Sequence, residues 1–463
     1  QWEDLGFKGT DAGWGTVDYL KQHQALMVDT SLFSLEFTAE LLKRIDDLDA
    51  QTDGLIINSD NFQSLNLLKE KYQKSIQTVY IDPPYNTDAS AIIYKNGFKD
   101  SSWLTLIENR LELVKNLMHK KSLIGIAIDD QEVSNLTKLL DAEFLKQVGI
   151  AVVKSNPQSR KTRGKLSPVH EYILFYGDED AIPSTIGFSA SKATRYPLED
   201  EQGRFAWMNF IRAGNNDRRV DRPKLHYPIV VTAEDKIRIP EMRWDENRNE
   251  YILLEQLNAN EILVLPNKID NDGKIIEKNW QRGHVRVAKE YSEYRVRRIS
   301  DSQISIDFKT RMDDSAAPVT WWDLNEYASA NYGASELKEL FKEKLFDFPK
   351  AKKLVEDTLK ASGAVDPLST IIDFFAGSGT TAHATIALNR EDHGSRKYIL
   401  VEQGEYFDTV IKPRIQKVVY SADWRDGKPT NPESGISHCL KVMKLESYED
   451  TLNNLELVRK GAQ

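Results

Sequence analysis

Asp82-Pro83-Pro84-Tyr85 follows directly on Thr78-Val79-Tyr80-Ile81, a short run of β-branched and apolar residues. Such a run reads as a strand buried on both faces of a parallel sheet. Ligands of open α/β sheets lie beyond the carboxyl ends of the strands, where this tetrapeptide falls. An ionised carboxylate only accepts hydrogen bonds. Two consecutive prolines have fixed φ angles and hold the carbonyl of Pro83 rigidly as a second acceptor. Two acceptors on the hydrogens of one amine favour a pyramidal nitrogen and free a lone pair otherwise delocalised into an aromatic ring. Tyr85 adds a flat face on which an extruded base can stack. The chemistry read from these four residues is activation of a nucleobase amine toward an electrophile; the competing reading is a strand that ends in an ordinary Pro-Pro turn.

A second candidate, Asp373-Phe374-Phe375-Ala376-Gly377-Ser378-Gly379-Thr380, also follows a strand-like run, Thr370-Ile371-Ile372. Glycines at a strand-to-helix turn let the backbone approach a ligand closely. The spacing lacks the third glycine of a dinucleotide fingerprint, which weakens a nicotinamide or flavin reading. S-adenosylmethionine has no pyrophosphate; it needs a close turn for its methionine part and an acid for its ribose. Asp373, Phe375, Ala376, Gly377, Gly379 and Thr380 are the candidates for the turn. Glu402, ending the run Lys397 to Glu402, is placed for the ribose.

These residues need elements to position them. Further strand-like runs are Gly54 to Ile57, Ser122 to Ile128, Ile150 to Val153 and Glu171 to Tyr176, giving seven expected strands with the two above and Lys397 to Val401. Trp103, Ile107, Leu111, Val114 and Met118 share one helical face, as do Leu65, Leu68 and Tyr72, a helix that Ser59 or Asp60 can cap. Alternating strands and helices predict an α/β domain with right-handed crossovers. Between about Ile182 and Tyr327 the chain turns polar, is broken by Pro from Pro183 to Pro318, and carries short alternating pieces such as Lys236 to Ile239. This predicts an inserted domain of small antiparallel strands, closed by Trp321-Trp322. A helix is expected over Leu445 to Val458.

Composition narrows the class. The chain has 463 residues, 40% hydrophobic and 29% charged, the usage of a globular protein long enough for two or three domains. No apolar run approaches a membrane span, and the acidic start, Gln1-Trp2-Glu3-Asp4, lacks a signal pattern. A chain that begins without Met is expected to be a processed or excised piece. Cys439 is the single cysteine, which excludes an internal disulfide and a multi-thiolate zinc site and fits a cytoplasmic protein. The eight histidines form no His-x-x-x-His pair, so no metal is expected, and no phosphate-cradling Gly-x-x-x-x-Gly-Lys loop marks an ATP motor. A net charge of −9 opposes nucleic-acid binding by bulk charge, but binding depends on the local field. Lys154 to Lys165, Arg204 to Lys224 and Lys278 to Arg298 are basic, and supply Arg160, Lys161, Arg163, Arg212, Arg218, Arg219, Arg282 and Arg286 as candidate contacts to phosphates and base edges.

Asp-Pro-Pro-Tyr together with Asp-x-Phe-x-Gly-x-Gly resembles the amino-methyltransferases of DNA. The order, catalytic motif first and glycine turn last with an insertion between, resembles their β class. The stretches YIDPPYNTDAS, HEYILFYGD and EYFDTVIKPRI resemble the modification subunits of type III restriction-modification systems. The likeness covers roughly residues 51 to 180 and 335 to 425. It implies a Rossmann-like S-adenosylmethionine-dependent fold, circularly permuted, with a mostly parallel seven-stranded sheet. The implied division is a helical arm over 1–50, a catalytic half over 51–180, a target-recognition insertion over 181–327, a cofactor half over 328–425 and an extension over 426–463.

Further roles come from the resemblance alone. Asp60 matches the acid that meets the cofactor's adenine, Phe348-Pro349-Lys350 the segment that walls its pocket, and His170-Glu171-Tyr172 a strand near the target base. Asn86-Thr87-Asp88 departs from the family's usual Asn-Thr-Gly. The implied reaction is direct methyl transfer to the N6 amine of a flipped adenine in double-stranded DNA. Cytosine-N4 methylation, where Ser usually replaces Asp82, and a non-catalytic recognition subunit are the alternatives. A homodimer and a separate helicase or nuclease restriction subunit are the partners the resemblance implies.

Overall fold

The computed structural model describes every residue except 1, 6, 87–98, 145, 157–165, 187–194, 271, 301–302, 313–317 and 447–463. The chain forms two compact units, Gln1–Gly187 with Ser315–Gln463, and Phe188–Asp314.

The larger unit is built on a nine-stranded sheet. Its strands in chain order are β1 (Gly54–Asn58), β2 (Ile76–Ile81), β3 (Met118–Ile128), β4 (Lys146–Val153), β5 (Glu171–Gly177), β6 (Trp321–Trp322), β7 (Thr370–Asp373), β8 (Lys397–Glu402) and β9 (Leu440–Lys444). Across the sheet the order is β6-β4-β5-β3-β2-β7-β8-β1-β9. β5 runs antiparallel to β3 and β4, and the other neighbours are parallel. The seven strands legible as apolar runs form the interior, and two pieces the sequence hides, β6 and β9, line the edges. Trp321-Trp322 therefore continues the large sheet instead of closing the insertion, and the segments 181–187 and 315–327 belong to the larger unit.

Alternation along the strands sends side chains to two cores. On one face Val79, Ile81 and Ile372 pack with α1 (Asn61–Tyr72), α2 (Lys99–Leu117) and α3 (Val133–Glu143) through Leu65, Leu68, Trp103, Ile107, Leu111 and Leu136. The helical face read from Trp103 to Val114 is buried throughout, whereas Met118, expected on the same helix, already begins β3. On the other face Tyr80 and Ile371 pack with α4 (Ala334–Phe341), α5 (Lys352–Leu359), α6 (Thr380–Asp392) and α7 (Ile411–Tyr420). Leu5, Tyr19 and Leu26 of the N-terminal segment join this second core. Each fully buried Leu or Ile contributes about 1.5–3 kcal/mol, so the sheet is rigid where the two motifs leave it.

β2 and β7 are neighbours, with Ile371 opposite Thr78 and Ile372 opposite Val79. After β2 the chain goes outward to β3, β5 and β4, and on its return it adds β7 to the other side of β2. This is the reversal in strand order at which open α/β sheets form their crevice.

The smaller unit is antiparallel. Tyr294–Ser300, Gln303–Arg311, Gly203–Asn209 and Leu198–Asp200 make a four-stranded sheet, and Ile262–Val264, Ile229–Val231 and Ile237–Arg238 a three-stranded one. Phe210, stacked on Trp280 with ring centroids 5.0 Å apart, centres its own core with Tyr227, Tyr294 and Phe308. The C-terminal helix expected over 445–458 falls almost wholly outside the described residues.

Candidate active site

Beyond the carboxyl ends of β2, β7 and β8 lies a cleft of about 950 Å³, lined by both motifs. Asp82, Pro83, Pro84 and Tyr85 form one side, and Asp373, Phe375, Ala376, Gly377, Thr380 and Glu402 the other. Asp60, Phe348, Pro349 and Lys350 complete the wall. The sheet thus brings together in space residues some 290 positions apart (373 − 82 = 291).

The glycine turn is built to leave room. Gly377 and Gly379 have φ of 53° and 80°, the left-handed region that costs a side chain most. Asp373 ends β7 and holds the turn, accepting from Phe375 N–H at 3.0 Å and Thr381 Oγ1 at 2.5 Å. Its carboxyl is almost fully buried and is pushed up to about 7, chiefly by desolvation, with Asp82 and Glu402 adding repulsion. Glu402 receives the N–H of Gly377 at 2.8 Å on one oxygen and that of Gly404 at 2.8 Å on the other. A carboxylate has about four lone-pair sites, so both oxygens keep capacity for a diol. Beneath the turn the fully buried Arg414 donates to Ser378 Oγ and Thr380 Oγ1, both at 2.9 Å, and to the Ser378 carbonyl at 3.2 Å. Its other nitrogen reaches Glu336 at 3.3 Å.

Asp60 caps α1, accepting from Phe62 N–H at 2.9 Å and Gln63 N–H at 3.3 Å, and its second oxygen pairs with Arg110 at 3.2 Å. Of the two capping candidates in the sequence, the structure selects Asp60. Its carboxylate is therefore already shared between a helix end and a guanidinium.

The tetrapeptide is held from several directions. Trp103, fully buried, donates its indole N–H to the Pro84 carbonyl at 2.7 Å. Asn86, at φ 58°, hydrogen-bonds the buried Glu132 at 2.5 Å. Thr87 and Asp88 lie outside the described residues. Lys350 reaches in from the opposite segment, its Nζ 2.6 Å from Glu171 Oε2, 3.4 Å from Asp82 Oδ1 and in contact with Tyr85 Oη. Tyr85 Oη donates to Glu171 Oε2 at 3.1 Å. Burial raises the Asp82 carboxyl from its ordinary range; Lys350 opposes this and Glu171 reinforces it. Lys350 is pulled down by burial, but Asp82 and Glu171 outweigh that and leave it raised.

Two members of this cluster carried other expectations. Lys350 stood with the cofactor wall, and Glu171 was seen only as part of a strand near the base. The available signal was a charged residue at the head of an apolar strand, EYILFY, and another just before a helix, FPKAKK. Such charges are seldom buried unless paired, but sequence cannot show which two pair. Arg110 carried no signal beyond residue type, Trp103 only that of its apolar helical face, and Arg414 only its place in the EYFDTVIKPRI stretch.

The candidate DNA contacts are dispersed. Arg160, Lys161 and Arg163 lie outside the described residues. In the smaller unit Arg219 pairs with Glu277 at 3.0 Å, and Arg282 pairs with Glu290 at 3.2 Å while lying 4.9 Å over the Phe308 ring. Arg286 also pairs with Glu290 but stays exposed at 60%. Arg212 bonds a nearby loop carbonyl at 3.5 Å, and Arg218 donates its backbone N–H to Asp221 at 3.1 Å. Arg219 and Arg282 thus hold the fold of this unit.

The model of a family described as DNA methylase matches residues 76–412, spanning both motifs and all the strands between them. The chain belongs to the DNA methylase family. Its relatives include the EcoPI Mod subunit, a type III restriction-modification enzyme of Escherichia phage P1, 28% identical over 79% of this chain and 62% of that protein. The type II methyltransferase M.KpnI of Klebsiella pneumoniae is 28% identical over 80% of this chain and 85% of its own length. The StyLTI Mod subunit of Salmonella typhimurium is 24% identical over 87% of this chain and 62% of that protein. The chain thus spans about 62% of the length of these Mod subunits. In this chain the Asp-Pro-Pro-Tyr tetrapeptide comes early and the glycine turn late, yet both leave adjacent strands. Among the described residues no helix is long and apolar enough to cross a membrane.

Proposed function

We propose that this DNA methylase transfers a methyl group from S-adenosylmethionine to the N6 amine of an adenine flipped out of double-stranded DNA, as the modification component of a restriction-modification system. The observation that carries the reading is the convergence of Asp82-Pro83-Pro84-Tyr85 and the glycine turn on one cleft beyond adjacent strands.

The residues fit the methyl donor. At the turn Gly377 presents backbone without a Cβ atom to the cleft, whereas Gly379 packs against Ile411, and Phe346, Phe348 and Phe375 offer apolar surface. Asp373 faces the place of a cationic amino-acid part, and Glu402 that of the ribose hydroxyls. Bound there, the donor supplies an electrophilic methyl on a sulfonium, which leaves as a neutral thioether keeping the bonding electron pair.

The protein's own part is positioning and acceptance of hydrogen bonds. Asp82 accepts one N–H of the amine and the Pro83 carbonyl the other, directing the lone pair at the methyl carbon; most of the acceleration is orientation. The new N–C bond leaves the nitrogen cationic, and it sheds one proton, for which the carboxylate of Asp82 is the adjacent acceptor. Tyr85 stacks on the base. The Tyr80 hydroxyl and Glu171 Oε1 are buried without hydrogen-bond partners among the described residues, close beside the tetrapeptide. The smaller antiparallel unit is the target-recognition domain, with Arg286 its most exposed paired arginine among the candidates. The functional unit is a homodimer served by a separate restriction subunit.

The test is transfer of label from tritiated S-adenosylmethionine to unmethylated duplex DNA, followed by separation of nucleosides. Label in N6-methyldeoxyadenosine is expected; label in N4-methyldeoxycytidine would keep the chemistry and change the base. Asp82→Ala should abolish turnover while donor binding, measured by calorimetry, stays within a few-fold of wild type. An active Asp82→Ala variant would remove Asp82 from the mechanism.

A further inference from the structure

Lys350 comes from a segment far from the tetrapeptide in sequence, yet its ammonium is enclosed among the residues that flank it. It is 10% exposed, with Glu171 at 2.6 Å, Asp82 at 3.4 Å and the Tyr85 ring centroid at 4.8 Å. A group that only filled space would not need a charge, since a buried ammonium costs several kcal/mol to desolvate. Its position between two carboxylates indicates what the charge does.

We propose that Lys350 is a positioning residue of the transfer reaction: clamped by Glu171 and Tyr85, its ammonium holds Asp82 anionic and oriented to accept the amine hydrogen. This rests on the methyl-transfer reading above. The groups facing Asp82 are otherwise acidic or neutral: Glu171 heads β5, Asp373 ends β7, Asp129 follows β3, and Tyr80 and Tyr85 flank Asp82 itself. Arg110, also on the cleft wall, is committed to Asp60 and Asn61. Without the Lys350 charge, Asp82 and Glu171 would be like charges in a poorly solvated pocket, and one of them would take up a proton. A protonated Asp82 offers an O–H where the amine needs an acceptor, so transfer would stop until the proton left. Burial and Glu171 already push Asp82 upward, and Lys350 provides the opposing attraction.

Gly333 supports the placement. A Cβ at that position would stand 2.2 Å from the Pro349 carbonyl and 2.9 Å from the Lys350 carbonyl, so the start of α4 is packed directly on the backbone that carries the lysine. The lysine is thereby fixed at its base as well as its tip.

The experiment is a pH profile of single-turnover methyl transfer from about pH 5.5 to about pH 9, at saturating donor and DNA. Wild type is measured first, since its activity tests the reading on which the inference rests. Lys350→Met is expected to move the acidic limb upward by about one unit or more, so that transfer falls about tenfold near neutrality and recovers as pH rises. Lys350→Arg should keep the limb near its wild-type position. Glu171→Gln, which leaves the lysine in place, should move the limb downward, and the double variant should return Lys350→Met toward wild type. Melting temperature and donor affinity report whether each variant is folded, and Glu171→Gln gives an independent reading if Lys350→Met is not. A Lys350→Met profile lowered by one factor at every pH, or a Glu171→Gln limb that does not move, would overturn the inference. Absence of transfer by the wild type despite donor binding would instead overturn the methyl-transfer reading.

Discussion

Asp373 has both carboxylate oxygens bonded within its own turn and still faces the cleft. Burial is the main reason its carboxyl is pushed up to about 7, so near neutral pH it is partly protonated. A cationic ligand beside it favours the ionised form and lowers that value. Binding of the sulfonium donor should therefore release protons and tighten as pH rises through about 7, then level off. Calorimetry in two buffers of different ionisation heat checks this, and Asp373→Asn should remove most of the pH dependence; an unchanged slope would place the donor's amino group elsewhere. Folding responds with the opposite sign. Because the native carboxyl is raised above its unfolded value, its contribution to stability is present at low pH and is lost as pH rises from about 4 toward 7.

The elements convert local conformation into a site. Gly377 and Gly379 take positive φ because the chain must turn from β7 into α6 in a few residues while leaving the cleft open. Gly377→Ala, on the cleft wall, should cost about 1–2 kcal/mol in urea unfolding and weaken donor binding with little effect on the tetrapeptide. Arg414, with no exposure, fastens the same turn from α7. Arg414→Met leaves the Ser378 carbonyl and Glu336 without this donor, and should lower stability by about 1–3 kcal/mol as read from the denaturation midpoint. These helices and strands were legible because their apolar periodicities are long and uninterrupted. The edge strands β6 and β9 were not. Two tryptophans after a polar stretch, or Leu440 to Lys444 with its lysines at 441 and 444, become strands only because β4 and β1 offer unpaired backbone edges.

At the scale of the whole molecule, the segment just before β9 is tied to the sheet. Asp53 accepts the N–H of Cys439 at 2.7 Å, and His438 stacks on Tyr398 with its Nε2 2.8 Å from the tyrosine hydroxyl. Burial holds His438 down to about 4, partly offset by Asp53. A base whose native value is depressed contributes stability above its unfolded value, and that stability is lost as pH falls from about 6.5 toward 4. His438→Gln should flatten the fall in melting temperature over that window, by at most about 1.4 kcal/mol per pH unit near its steepest. A melting curve with the same acid slope as wild type would show that other groups govern it. The smaller unit has its own aromatic core and antiparallel sheets. Its antiparallel character was legible in short alternating runs and prolines, but its limits were not, since a polar connection and a polar domain have the same composition.

From sequence alone came the two motifs that line the cleft and the strands that end in them. Asp82-Pro83-Pro84-Tyr85 and the Gly377–Gly379 turn are local signals, dictated by fixed proline torsions, permissive glycines and runs of buried apolar residues. Tertiary structure alone decided which charges meet. Lys350 joined Asp82 and Glu171, Arg110 took Asp60, and Arg414 went beneath Ser378. The physical reason is that a strand's burial is written in its own neighbours, whereas an ion pair between residues hundreds of positions apart is set by sheet order and register. Only the folded packing also supplies the desolvation that gives Asp82 and Asp373 their altered proton affinities.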